Sequence, residues 1–216
     1  MLSEFIKENY EPGEPIFLQD IKTDGMSDAN IRQKIKKLTD EGEVIRYEQG
    51  IYYIPKMSRL KGTLTLVPDI VARYKYISRM GRIMGDYAGR TLANKMGISM
   101  QVPLKEEITT NNMAAIVREV YVGNRVYVVR RAPVEVNEGN HIVLQLFELL
   151  KDIDEYSDDE QDARQQVIDY IRRFQITRDA VDRYIGYFPL KVYKSIYEMR
   201  LGSEFAANEF AANVFA

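Results

Sequence analysis

The amino-acid sequence predicts an α+β fold: a small helical unit closed by a β-hairpin, then a larger mixed domain that ends in helices. Three observations predict it. Ser27 stands before an amphipathic run, Asp28-Ala29-Asn30-Ile31-Arg32-Gln33-Lys34-Ile35-Lys36-Lys37-Leu38, in which Ile31, Ile35 and Leu38 recur at helical spacing. Two short β-type runs, residues 44–47 and 51–54, flank the Gly-containing loop Glu48-Gln49-Gly50. Further on, the β-rich runs Val117–Val122 and Arg125–Arg131 are joined by Gly123-Asn124, and the last third of the chain turns to helical periodicity.

Taken in order, residues 2–9 make a short helix on Leu2, Phe5 and Ile6, and Pro12-Gly13 breaks it. Residues 15–21 read as a second helix through Phe17, Leu18 and Ile21, and Lys22-Thr23-Asp24-Gly25 turns the chain into the Ser27 cap. Asp28 in the first turn of the third helix suits the helix dipole. That helix buries its isoleucine–leucine stripe and turns Ala29, Asn30, Arg32, Gln33, Lys36 and Lys37 outward; Gly42 closes it. Three helices and a hairpin within about 55 residues outline a winged helix-turn-helix, whose third helix enters the major groove of DNA. The candidate DNA-binding residues are then Ser27, Asn30, Arg32, Gln33, Lys36 and Lys37 on the helix, with Arg46, Gln49 and Tyr52 on the hairpin. Asn30 and Gln33 suit bidentate pairing with adenine; Arg32, Lys36 and Lys37 suit guanine or phosphate.

Pro55-Lys56-Met57-Ser58-Arg59 reads as a domain exit, which sets a DNA-binding domain at residues 1–56 and an α+β domain at 57–201. In the second domain, Pro68 opens a helix over residues 68–78, and a helix over 86–96 stops at Gly97. A strand at residues 107–110 precedes the Gly123-Asn124 hairpin. Helices follow over residues 140–150, 158–174, 178–185 and 190–201, the second of them opened by the capping pattern Ser157-Asp158-Asp159-Glu160. From residue 202 the chain repeats itself, Glu204-Phe205-Ala206-Ala207-Asn208 recurring as Glu209-Phe210-Ala211-Ala212-Asn213, and Gly202-Ser203-Glu204-Phe205 resembles a cloning-site remnant. Residues 202–216 are therefore read as an inert, vector-derived or disordered tail.

The formal net charge is −2, unevenly spread: −3 over residues 1–56, +7 over 57–136 and −6 over 137–216. The basic middle segment, with Arg73 and Arg79 close after the domain exit, is expected to extend a DNA footprint onto flanking phosphates. The competing expectation is that its cations pair with the acidic last third.

Catalytic chemistry finds little support. With no cysteine, disulfides, thiolate catalysis and cysteine-based zinc sites are excluded. His141 is the single histidine, too few for a zinc site or a triad of the usual kind. There is no G-x-x-x-x-G-K-[ST] phosphate loop, no G-x-G-x-x-G after a strand, and no Glu followed two residues later by Lys. The acidic run from Asp152 to Glu160 lacks the glycine and closing glutamate of a calcium loop, and Gly81, Gly85 and Gly89 read as turn and packing glycines. No enzyme activity, metal or cofactor is expected. No run approaches the ~18 apolar residues of a membrane span. The N-terminus has no apolar leader, so the expectation is a cytoplasmic protein that does not enter a membrane.

Residues 85–97, Gly85-Asp86-Tyr87-Ala88-Gly89-Arg90-Thr91-Leu92-Ala93-Asn94-Lys95-Met96-Gly97, are similar to the "Y-S-G-L-T-x-x-N-x-L-G" segment of AbiEi-type antitoxins. These are winged-helix regulators of abortive-infection, type IV toxin–antitoxin systems. Gln101-Val102-Pro103, Ile108-Thr109-Thr110-Asn111 and Arg130-Arg131-Ala132-Pro133 follow in the order of that family. Gly13-Glu14-Pro15, Ile31-Arg32 and Gly50-Ile51-Tyr52 resemble its winged helix, so the likeness spans roughly residues 1–150. The sequence departs from the pattern at Ala88 and Arg90, where the family has Ser and an apolar residue. The resemblance implies a repressor of its own operon that binds operator duplex DNA, with inverted repeats as one arrangement. It also implies opposition to a nucleotidyltransferase-like toxin without direct contact being required. Two rival readings stand beside it: a winged helix used only for protein interaction, and an unrecognised enzyme in the second domain.

Overall fold

The computed structural model describes residues 2–23, 25–58, 62–157 and 159–205. It is a mixed α+β chain that divides into two compact units.

The first unit is Met1–Tyr74 with Val122–Asn124. Its elements run α1 (Leu2–Asn9), β1 (Ile16–Phe17), one 3₁₀ turn (Leu18–Asp20), α2 (Asp28–Asp40), β2 (Ile45–Glu48) and β3 (Ile51–Tyr53). α2 starts where the sequence predicts: Ser27 is extended and its side chain accepts the Asn30 N–H at 3.4 Å. Ile31, Ile35 and Leu38 are buried together with Leu2, Ile6, Tyr10, Ile16, Ile21 and Val44, which makes one core beneath α1 and α2. Gly42, at φ +76°, turns the chain back so that the Glu43 and Val44 N–H groups both donate to the Leu38 carbonyl. β2 and β3 form the expected hairpin, and β1 adds to the far side of β3, giving the antiparallel order β1-β3-β2.

Two expectations for this region are corrected. Residues 15–21 form a strand and a single 3₁₀ turn rather than a helix. Ile16 and Phe17 are adjacent and both buried, on opposite faces as in a strand, and they pair with Tyr52 and Ile51. The boundary expected after residue 56 falls inside the unit. β4 (Lys56–Ser58) and β5 (Gly62–Leu64) pair antiparallel, α3 (Pro68–Tyr76) follows, and the unit continues to Tyr74, whose hydroxyl donates to Glu14 at 3.2 Å.

Glu43 ties the end of α2 to α1. It accepts from Ser3 Oγ at 2.7 Å and lies 2.6 Å from Lys7 Nζ. The hydrogen bonds from Lys7 and Ser3 hold its carboxyl below the usual carboxylate range. A depressed folded-state pKa gives stability that is present above the unfolded value and disappears as pH falls through the folded one. Glu43→Gln is therefore expected to lower the melting temperature near neutral pH, with the gap from the parent closing in acid. A gap that stays constant across the titration would remove Glu43 from the pH dependence.

The second unit is Lys75–Tyr121 with Arg125–Ala216. A small hairpin, β6 (Ser78–Arg79) and β7 (Arg82–Ile83), precedes β8 (Gly85–Tyr87), α4 (Gly89–Lys95), β9 (Glu106–Thr110), β10 (Val117–Val122) and β11 (Arg125–Arg131). The four-stranded sheet has the order β10-β11-β9-β8, with β11 parallel and β8 antiparallel to β9. The helices are α5 (His141–Leu150), α6 (Ile153–Tyr156), α7 (Glu160–Arg173), α8 (Arg178–Tyr184), a 3₁₀ turn (Ile185–Tyr187) and α9 (Leu190–Glu198). They close over an apolar core that includes Leu146, Phe147, Leu150, Val167, Ile171 and Val192.

The helix expected from residue 86 starts only at Gly89, because Gly85–Tyr87 is taken up as β8 against β9. α7 opens two residues later than predicted, with Asp159 accepting the Gln161 and Asp162 N–H groups; Asp158 lies outside the described residues. The tail expected from residue 202 is ordered over residues 202–205. After a turn at residues 199–201 the chain is helical again over 202–205, Phe205 is 1% exposed in the core, and Glu204 pairs with Arg172 at 2.8 Å. An aromatic ring at the right distance from Leu201 is buried whatever its neighbours repeat; residues 206–216 lie outside the described residues. Among the described residues no helix is long and apolar enough to cross a membrane.

Candidate nucleic-acid interface

At 100° per residue, the buried stripe of α2 places Ala29, Gln33 and Lys36 on the line directly opposite. Arg32 flanks that line on one side, and Asn30, Lys34 and Lys37 on the other. All seven are exposed. Such a face has a short polar centre able to meet base edges and cations on both shoulders able to meet phosphates. Lys34 is absent from the sequence-level candidates, although its place on the wheel beside Lys37 marks it out. Lys37 lies 3.6 Å from Glu41 in an exposed i,i+4 pair, a weak tie. Asp28, Asp40 and Glu41 sit at the two ends of α2, so its positive charge is concentrated between Arg32 and Lys37.

Ser27 is exposed, but its oxygen already serves the helix N-terminus. On the hairpin, a bulge between Arg46 and Glu48 lets the exposed Arg46 fold back so that its Nε donates to the Glu48 carbonyl at 3.4 Å. Gln49 is exposed at the turn, where Gly50 takes φ +77°. Tyr52 is half-buried and packs on the core of the unit, so its ring supports the sheet. Arg73 is exposed on α3 within the same unit, whereas Arg79 lies on β6 in the second unit. The structure thus gathers nine of the eleven candidates on or beside α2 and the hairpin and leaves the two outlying arginines in different units.

In the second unit the notable polar groups hold strands and helices together. The Glu107 carboxylate accepts the Arg90 N–H at 3.2 Å and pairs with Arg130 at 2.8 Å. Burial works against the Arg130 charge, but Glu107 outweighs it and holds the guanidinium above its usual range. Arg90 lies over the Tyr156 ring, 5.5 Å from its centroid. Burial, reinforced by Asp152 and Glu107, pushes the Tyr156 hydroxyl well up. Asp86 Oδ2 stands 3.2 Å from His141 Nδ1, Asp86 Oδ1 accepts from Gln145, and Gln145 accepts from Tyr170 at 2.6 Å, a chain that joins β8, α5 and α7. Burial raises the Tyr170 hydroxyl, with Asp86 adding to it. Asn111 clamps Val136 with both halves of its amide, at 2.7 and 2.8 Å. Among the described residues no three His, Cys, Asp or Glu side chains are grouped so as to hold a metal ion.

Fold and surface together define an α+β protein with a small unit bearing a cationic helix and hairpin, followed by a larger mixed unit. The chain belongs to the family described as "Family of unknown function (DUF6088)", matched over residues 2–178. The match takes in residues of both compact units and ends at the first residue of α8. Among curated proteins none matches the chain.

Proposed function

We propose that this protein is a DNA-binding transcriptional regulator that represses its own operon and acts as the antitoxin of a type IV toxin–antitoxin pair in the cytoplasm. The observation that carries the DNA reading is the outward face of α2, with Gln33 and Lys36 at its centre and Arg32, Lys34 and Lys37 on its shoulders, all exposed. The element order helix, strand, turn, helix, hairpin, with the sheet order β1-β3-β2, suits a winged helix in which a single 3₁₀ turn stands for the second helix. The antitoxin role rests on the AbiEi-like segments, Gly85 to Gly97 foremost, and it implies a nucleotidyltransferase-like toxin as the functional partner.

A second reading, a protein-interaction module, is favoured by the net −3 of residues 1–56. Two variants of the full chain on one operator duplex separate the readings. Gln33→Ala is expected to weaken binding by about 1–3 kcal/mol and to relax specificity at one base pair. Lys37→Ala, on a shoulder, is expected to weaken binding to all sequences alike and to flatten the salt slope by about 0.9. Absence of salt-dependent duplex binding by the parent chain would favour the interaction module. The antitoxin role predicts a nucleotidyltransferase gene beside this one and is checked by growth rescue when the two are co-expressed.

A further inference from the structure

β6 and β7 pair as a hairpin with a two-residue turn. Ser78 lies opposite Ile83 and Arg79 opposite Arg82, so Met80 and Gly81 make the turn. Both take positive φ, +51° at Met80 and +76° at Gly81, as the mirror-image turns that suit hairpin twist require. A glycine adopts that conformation freely, whereas a methionine does so against steric strain. Met80 is 67% exposed, so packing does little to offset the strain. The strand pair is unfavourable as well. Arg79 and Arg82 face each other directly, and like charges so placed destabilise a hairpin.

The surroundings add charge of the same sign. β7 leads into β8, whose Gly85 pairs with Thr110, and Thr110 pairs with Arg131 at the end of β11. The Asn111 N–H bonds to the Met84 carbonyl at 2.7 Å, and the Asn112 side chain to the Lys75 carbonyl at 2.9 Å. Lys75, Arg79, Arg82 and Arg131 therefore belong to one end of the sheet. Two carboxylates stand against them. Glu135 follows Arg131 by four residues, and Glu138 accepts the Ile83 N–H at 2.9 Å. That hydrogen bond, with Arg82 close by, holds the Glu138 carboxyl below the usual carboxylate range. Four cations against two carboxylates leave this end positive.

We propose that the β6–β7 hairpin is a second contact with duplex DNA, in which Arg79 and Arg82 grip backbone phosphates. The proposal rests on the DNA-binding function stated above and adds a contact made by the second unit. Each strand of a duplex carries one negative charge per roughly 3.4 Å of helix axis, so two guanidiniums side by side on one hairpin reach neighbouring phosphates. Arginine forks suit phosphate oxygens bidentately. Binding replaces the mutual repulsion of the pair by attraction to shared anions, so the strain carried by the free chain points to an anionic partner. The carboxylates of an acidic protein would answer the same charge. The cationic face of α2 on the same chain favours a polyanion that both can engage.

The test is binding of the full chain to one long duplex across a salt series, with thermal unfolding of each variant beside it. Arg79→Ala and Arg82→Ala are each expected to weaken binding at low salt and to flatten the slope of log affinity against log salt by about 0.9, the double variant by about 1.8. Their melting temperatures are expected at or above that of the parent, because the like-charge pair is relieved. Met80→Gly keeps both arginines and is expected to keep the parent slope. Arg183→Ala, which removes an exposed cation of α8, is expected to keep it too. A double variant with the parent slope overturns the inference, and loss of polyglutamate binding in that variant would assign the hairpin to an acidic protein instead. Arg183→Ala flattening the slope as much as Arg82→Ala also overturns it, since any exposed cation would then serve. A double variant that flattens the slope while Lys37→Ala does not would uphold the hairpin contact and count against the α2 face proposed above.

Discussion

Gly85→Ala is expected to destabilise the second unit by more than about 3 kcal/mol, enough to unfold a marginal domain. A Cβ on Gly85 would stand 2.3 Å from the Tyr76 carbonyl oxygen, 2.4 Å from that of Thr109 and 2.9 Å from Thr110 Cβ. Two of these are backbone atoms, so no rotamer change relieves them. β8 would have to move off β9, and its pairing of Gly85 with Thr110 and the Gly85 N–H bond to Ile77 would go with it. Gly97→Ala is the matched control. It also ends a local element, but at φ +77° and with nothing within 4 Å of the added carbon. Only backbone strain of about 1 kcal/mol is expected there. Urea unfolding of both variants checks the contrast; a Gly85→Ala loss no larger than that of Gly97→Ala would mean that the strands approach less tightly.

What was legible in the sequence was legible for local reasons. α2 could be read because cap, stripe and closing glycine lie within sixteen residues, Ser27 to Gly42, and the stripe defines the outward face by exclusion. The hairpins could be read because Gly50 and Gly123 mark turns with positive φ. β1 could not, since Phe17, Leu18 and Ile21 happen to fall at helical spacing while Ile16 and Phe17 are claimed by Tyr52 and Ile51 of a strand far along the chain. β8 was hidden for the same reason, within a segment whose apolar spacing continues into α4. The half-burial of Tyr52 is set by the core of the unit and not by its turn, so it leaves no local mark. The Asp86–His141 contact spans fifty-five residues and leaves no local trace.

Charge shows the same division. The sequence expectation was that the basic middle segment either reaches DNA or pairs with the acidic last third. Lys105 and Arg130 pair within their own segment, because the sheet brings them to Glu119 and Glu107, and Arg130 also feels Glu148 of the last third. The last third largely pairs within itself, as in Lys151–Glu148, Lys191–Asp152 and Arg172–Glu204. Arg59 and Lys61 lie outside the described residues. Arg73 stays available to the α2 unit, and its replacement by Ala is the variant that reports on an extended footprint.

Phe205→Ala is expected to cost about 3–5 kcal/mol, and a chain ending at Leu201 to lose a similar amount. Phe205 is among the largest fully buried side chains, at 1% exposure, and belongs to the same core as the fully buried Leu201. Deleting it leaves a ring-sized cavity lined by helices that are fixed by their other contacts, so collapse cannot recover the loss. The Arg172–Glu204 pair beside it contributes little by comparison, because Arg172 is mostly exposed and a surface ion pair is worth about 0–1 kcal/mol. Arg172→Ala therefore separates the two terms: its melting temperature is expected to stay near that of the parent while Phe205→Ala falls by many degrees. Thermal unfolding of these three proteins decides the matter. If the chain ending at Leu201 melts with the parent, the ring contributes nothing and the repeat from Glu204 onward is the inert tail that its composition suggested.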